Sequence, residues 1–230
     1  MPARPGSWGG AFTVQVFPPS TNTISRVSIF GAVFFAVGLL FVVYMIFRSP
    51  YITQVNVTVD QPVPFSHEHH ITALGIDCRY CHTSVESSTF AGIPATETCM
   101  SCHSQIWVNS PMLEPVRKSM QTNEPIRWNR VHDLPDYAYF NHAVHVNKGV
   151  GCVSCHGRVD LMPLTWKAEP MTMEWCLGCH REPEKHLRPI EEVFNMTWTP
   201  PKDQLALGRE LIKKQHIPVD RLTNCYVCHR

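Results

Sequence analysis

Residues 140–156 read FNHAVHVNKGVGCVSCH, and residues 65–82 read FSHEHHITALGIDCRYCH. Set one above the other, Phe140 matches Phe65, His142 matches His67 and His145 matches His70, and each stretch runs into C-x-x-C-H. A second C-x-x-C-H follows in both copies, 21 residues on from Cys78 to Cys99 and 24 residues on from Cys152 to Cys176. The chain thus contains a duplicated unit, and a repeat of this kind constrains the architecture before any single element does.

The 230 residues include ten cysteines, and all ten lie in motifs of this form. They are Cys78/Cys81/His82, Cys99/Cys102/His103, Cys152/Cys155/His156, Cys176/Cys179/His180 and Cys225/Cys228/His229. Zinc ribbons also use paired cysteines, but tetrahedral zinc does not require a histidine directly after every pair. A secreted disulfide framework would not space every cysteine this way, and thioredoxin-like sites occur once, beside a βαβ pattern missing here. C-x-x-C-H is the attachment signature of c-type haem. Two thiols about one helical turn apart add to the two vinyl groups, and the adjacent imidazole lies under the iron as proximal ligand. The count predicts five c-type haems. No cysteine remains for a lipid anchor or a disulfide, and covalent attachment places the motifs on the outer side of an energy-transducing membrane.

The F-x-H-x-x-H element has its own reading. Ser66 and Asn141 are good N-caps, so each histidine pair is predicted to open a short helix. Positions i and i+3 share a face, and two imidazoles there can bind the irons of adjacent haems. The element resembles the small multihaem class III cytochromes, in which the first histidine serves the haem of the next motif. By that resemblance His67 serves the haem of His82, His142 serves that of His156, and His70 and His145 reach neighbouring haems. Three side chains compete for the iron left over. Met173 precedes Cys176 by three residues, and a thioether ligand raises haem potential; it could instead pack on a porphyrin face. His132, in RVHDLPDYAYF, could bind iron or a propionate. His216 ends a predicted amphipathic helix, Asp203 to His216. His69 and His186 read as exposed or propionate-bound.

Val27 to Phe47 is a run of 21 residues without a charge, bracketed by Arg26 and Arg48. At 1.5 Å per residue it spans about 31 Å, the thickness of a bilayer core. It is longer than the apolar core of a cleaved leader, so an uncleaved single-pass anchor over 27–48 is expected in the lipid bilayer. The predicted layout is a cytoplasmic arm over 1–26 with Pro2, Pro5, Gly9 and Gly10, the anchor, and a periplasmic haem domain over 49–230. Within that domain the haem modules fall at about 65–130 and 140–185, with the fifth haem at 200–230.

Charged residues make up 17% and the formal net charge is +1, which argues against a nucleic-acid partner. Ten propionates and five ferric irons would carry that balance to about −4, and to about −9 when reduced. Roughly 36 residues per haem is far below an ordinary domain, so the haems must supply much of the core. The expected fold is mainly α with a high coil content; Thr53 to Val59 is the best strand-like alternation.

Taken together, one N-terminal helix, five C-x-x-C-H motifs and a doubled F-x-H-x-x-H in so short a chain resemble the pentahaem cytochrome c subunit of bacterial alternative complex III. That resemblance implies electron transfer within a quinol:electron-acceptor oxidoreductase of the cytoplasmic membrane. It also implies a polytopic quinol-oxidising subunit and an iron–sulfur subunit as partners, with a monohaem cytochrome c or another acceptor downstream. No residue is expected to be catalytic, because an open iron of the nitrite-reductase kind would use a C-x-x-C-K motif that is absent here. The alternative is a stand-alone one-helix multihaem quinol dehydrogenase feeding a periplasmic reductase.

Overall fold

A computed structural model of the chain describes residues 16–229. Most of the expected cytoplasmic arm, including Pro2, Pro5, Gly9 and Gly10, lies outside the described residues. The polypeptide divides after Ile52 into two compact units.

The first unit is dominated by α1, Ser20–Arg48, of 29 residues, which begins seven residues before the apolar run. Its flanking residues Ser20, Thr21 and Asn22 follow Pro18 and Pro19 and continue the helix inward from the polar side. At 1.5 Å rise it is about 44 Å long. By length and composition it can cross a membrane, and its apolar side chains are exposed. Arg48 closes the last turn, where a cation complements the C-terminal dipole, and lies over the Tyr44 ring at 5.2 Å.

The second unit is a set of short helices, turns and coil. Its longer helices are α2, Thr96–His103; α3, Glu114–Thr122; α4, His142–Asn147; α5, Met173–Arg181; and α6, Gln204–Lys214. There are no strands among the described residues, only isolated bridges. The alternating Thr53–Val59 stretch supplies two of them, through Val55 to Lys167 and Thr58 to Trp166. Among the described residues the chain buries few apolar side chains of its own, and six of these ten fall into two small groups. Val63, Leu113 and Val116 pack with Met100 and Trp128, joining α2 to α3. Val85, Val146 and Val193 pack with Cys152 and Phe194, so residues from both repeat copies share one cluster.

Both histidine pairs open helical turns, as the capping residues predict. Asn141 Oδ1 accepts the Val144 N–H at 3.3 Å, and Ser66 Oγ accepts that of His69 at 3.1 Å. The copies differ in one respect. His69–Ala73 is a π-turn, whereas α4 is a regular α-helix. From His70 to Cys78 is eight residues and from His145 to Cys152 is seven; a π-turn takes up one residue more than an α-turn, which absorbs the surplus.

Two glycines permit close approaches. Gly149 adopts φ +86° and its carbonyl accepts the Arg188 N–H at 2.9 Å. Arg188 is buried, with its guanidinium 4.5 Å from the Trp198 ring centroid. On α6, Gly208 lies directly against the Glu184 backbone in the turn Pro183–Lys185, leaving no room for a side chain. Gln204 on the same helix donates to the Glu184 and Leu187 carbonyls at 3.0 and 2.8 Å. In an open helix, Gly→Ala adds about 1 kcal/mol. Here the methyl must push two backbones apart, so Gly208→Ala is expected to destabilise by about 1–3 kcal/mol. Thermal unfolding of the variant checks this, and a raised midpoint would disprove the close packing of α6.

Candidate haem-binding site

Each C-x-x-C-H lies on or beside a helical turn: Cys78–Cys81, α2, Val153–His156, α5 and Cys225–Cys228. A turn is what brings the two thiols to the same side. Asp77 caps the first by accepting the Arg79 N–H at 2.8 Å, and Thr172 caps α5 by accepting that of Trp175 at 3.4 Å. All ten cysteines are unpaired. Burial pushes the Cys155 thiol up to about 12 and Cys152 up to about 11, reinforced by the neighbouring thiols Cys179 and Cys78 respectively.

The imidazoles are oriented by their Nδ1 atoms. Among the histidines of the five motifs, His82 reaches the Gly92 carbonyl at 2.7 Å, His103 that of Ile106 at 3.1 Å, His180 that of Leu222 at 2.8 Å and His229 that of Tyr137 at 2.9 Å. His156 differs: its Nδ1 lies 3.3 Å from Nε2 of His132. In the duplicated pairs, His70 and His145 reach back to the carbonyls of Ser66 and Asn141 at 2.8 and 2.7 Å, the same i−4 bond in both copies. His142 reaches the Thr89 carbonyl at 3.0 Å, and His67 the Thr165 hydroxyl at 3.0 Å. A carbonyl only accepts, so the nitrogen facing it carries the proton. The lone pair is then left on Nε2, the state a metal needs.

Three pairs of imidazoles face one another. Ring centroids are 6.2 Å apart for His70 and His103, 6.4 Å for His142 and His156, and 6.2 Å for His145 and His180. Metal–nitrogen bonds of about 2.0–2.1 Å on both sides, plus the ring radii, put two ligand centroids about 6.3 Å apart. The spacing matches an iron held between each pair. The donor set fits too, because burial disfavours the charged form at four of the histidines, His67, His142, His145 and His156. It lowers His142 and His145, takes His67 down to about 4 with help from His82, and takes His156 to about 3 with help from His132.

The two copies clasp each other. His142 and Ala143 donate their N–H groups to Thr89 and Ser88, in the loop after the first motif, at 3.1 Å each. Reciprocally, Glu68 donates its N–H to Met162 at 3.1 Å and Thr72 its hydroxyl to the Asp160 carbonyl at 2.6 Å, in the segment after the third motif. The phenylalanine of each repeat wedges its histidine pair. Phe65 meets His67 edge-on at 4.9 Å and stacks on His70 at 4.4 Å; Phe140 meets His142 at 4.7 Å and His145 at 4.4 Å in the same two ways. The match of Phe65 with Phe140 carried that signal, although sequence gave it no task.

The other expected ligands are distributed unevenly. His132 sits against His156, ring centroids 4.3 Å apart at 74°. Met173 is 65% exposed at the first position of α5, one turn ahead of Cys176, whose thiol is raised by burial and then by nearby Cys228. His216 is exposed past the end of α6 with φ +51°. His69 is exposed and stacks on Trp107 at 5.9 Å, and His186 is partly buried.

Residues 138–230 match the family described as cytochrome c7 and related cytochrome c. The chain is also similar to the menaquinone reductase multihaem cytochrome c subunit of Nitratidesulfovibrio vulgaris. They are 27% identical over 176 residues, covering 74% of this chain and 77% of that protein. That match reaches well beyond the last three motifs and takes in the duplicated half. After its apolar N-terminal helix, the chain is therefore a mainly helical, coil-rich multihaem cytochrome c domain, an electron-transport protein whose cofactor is c-type haem.

Proposed function

We propose that the chain binds five c-type haems and conducts electrons between a membrane quinone site and an acceptor outside the cytoplasmic membrane. The observation that carries this reading is the set of facing imidazole pairs at 6.2–6.4 Å, which leave no open face on the irons they would hold. Bound haem supplies a one-electron iron couple, and the protein's residues fix its ligands, burial and potential. His70, His142 and His145 are assigned opposite His103, His156 and His180. His67 is assigned opposite His82, its largest influence after burial. Met173 is assigned to the iron of His229, a choice supported by the proximity of Cys176 to Cys228. These assignments predict that His70→Ala and His145→Ala each convert one low-spin haem to high spin, whereas His69→Ala converts none. EPR of the ferric proteins reads this directly, and an unchanged low-spin envelope in His145→Ala would remove it from the ligand set.

In this reading α1 anchors the haem domain on the periplasmic face as a subunit of an alternative complex III-type quinol oxidoreductase. Its partners there are a polytopic quinol-oxidising subunit and an iron–sulfur subunit, with a monohaem cytochrome c receiving electrons. The relative's name gives a second reading, in which electrons run toward menaquinone; histidine pairs that would close the irons they hold favour neither direction. Gentle detergent extraction from native membranes, followed by mass spectrometry of the haem-containing fraction, is expected to recover a polytopic subunit and an iron–sulfur protein with the chain. Recovery alone would sink the complex and favour a stand-alone quinol dehydrogenase. Reduction of the isolated complex by a quinol, followed by electron delivery to a cytochrome c, supports the first direction; reduction of added quinone by a reduced cytochrome supports the second.

A further inference from the structure

Nine imidazoles surround the haem-binding motifs, and eight of them spend Nδ1 on a carbonyl or, for His67, a hydroxyl. His156 alone spends it on another imidazole, 3.3 Å from Nε2 of His132. The contact is built rather than incidental. His132 is partly buried, and its ring meets that of His156 edge-on, centroids 4.3 Å apart. His142 faces His156 as well, nearly parallel at 10° and 6.4 Å. His156 thus neighbours both rings, with Nε2 of His132 at its Nδ1.

We propose that His132 is a positioning residue rather than an iron ligand: it accepts the Nδ1–H of His156 and so sets the orientation and donor strength of that proximal ligand. The inference rests on the reading of His156 as an iron ligand. For His156 to offer Nε2 to iron, its proton must lie on Nδ1, and Nε2 of His132 is then the acceptor, with the His132 proton on its own Nδ1. An imidazole nitrogen is a more basic acceptor than an amide carbonyl. It draws the His156 proton further, strengthens donation to ferric iron and holds the potential of that haem below what a carbonyl partner would give. The other four motifs, bonded to carbonyls, lack this adjustment.

The test uses the intact haem-loaded protein in three forms: unsubstituted, His132→Leu and His132→Gln. Haem content, the EPR spectrum of the ferric state and a spectroelectrochemical titration are measured for each. His132→Leu is expected to keep every iron low-spin and to move one midpoint upward; His132→Gln, whose amide oxygen still accepts, moves it only part of the way. A new high-spin ferric signal in both variants would overturn the proposal by making His132 an iron ligand. Midpoints unchanged in both would overturn it as well. If the leucine variant fails to assemble, the glutamine variant decides alone, a shifted midpoint with low-spin irons supporting the role and an unshifted one refuting it. Failure of the underlying reading looks different. It would show in the unsubstituted protein, as fewer than five haems or as a resident high-spin iron.

Discussion

An imidazole binds a metal through one nitrogen, so the nitrogen it keeps for the protein decides where the other points. The haem domain depends on that constraint. His82, His103, His180 and His229 each commit Nδ1 to a main-chain carbonyl, and His70 and His145 commit theirs to the carbonyl four residues earlier. Carbonyls are fixed by the backbone, so the side chains do not need a dense core to be aimed. This suits a polypeptide with two small apolar clusters and no strands among its described residues. Much of its packing has to come from the cofactors it is shaped to hold.

The same bonds fasten distant parts of the chain. His180 is held by Leu222 and His229 by Tyr137, while Tyr139 donates its N–H to Cys228 at 2.7 Å. The last motif is thereby stitched to the segment that opens the second repeat copy. A chain of short elements gains cooperativity this way, because loss of one anchor loosens a ligand in another module.

The parts of this organisation governed by short-range covalent spacing were legible in sequence. The C-x-x-C-H motifs, the doubled F-x-H-x-x-H, the caps Ser66 and Asn141 and the apolar helix all follow from neighbours within a few residues. The acceptors did not. Thr89 serves His142 across 53 positions and Thr165 serves His67 across 98, and neither threonine differs in sequence from an ordinary loop residue. His132 stood out in sequence as a candidate ligand, but its contact with His156 did not, since nothing local fixes which nitrogen of a ring meets what. Helix bounds shifted for a plain reason: the mostly polar residues 20–26 extend α1 because backbone hydrogen bonding continues past the end of an apolar stretch.

The reciprocal clasp between the two repeat copies has a consequence for how the protein matures. The turn bearing His67 closes on Met162, Asp160 and Thr165, and α4 closes on Ser88 and Thr89. A chain made from its N-terminus presents the first pair of motifs before residues 159–165 are made. Until then the turn bearing His67 lacks the partners it closes on. Closure of the first half against these partners therefore waits on synthesis of the second.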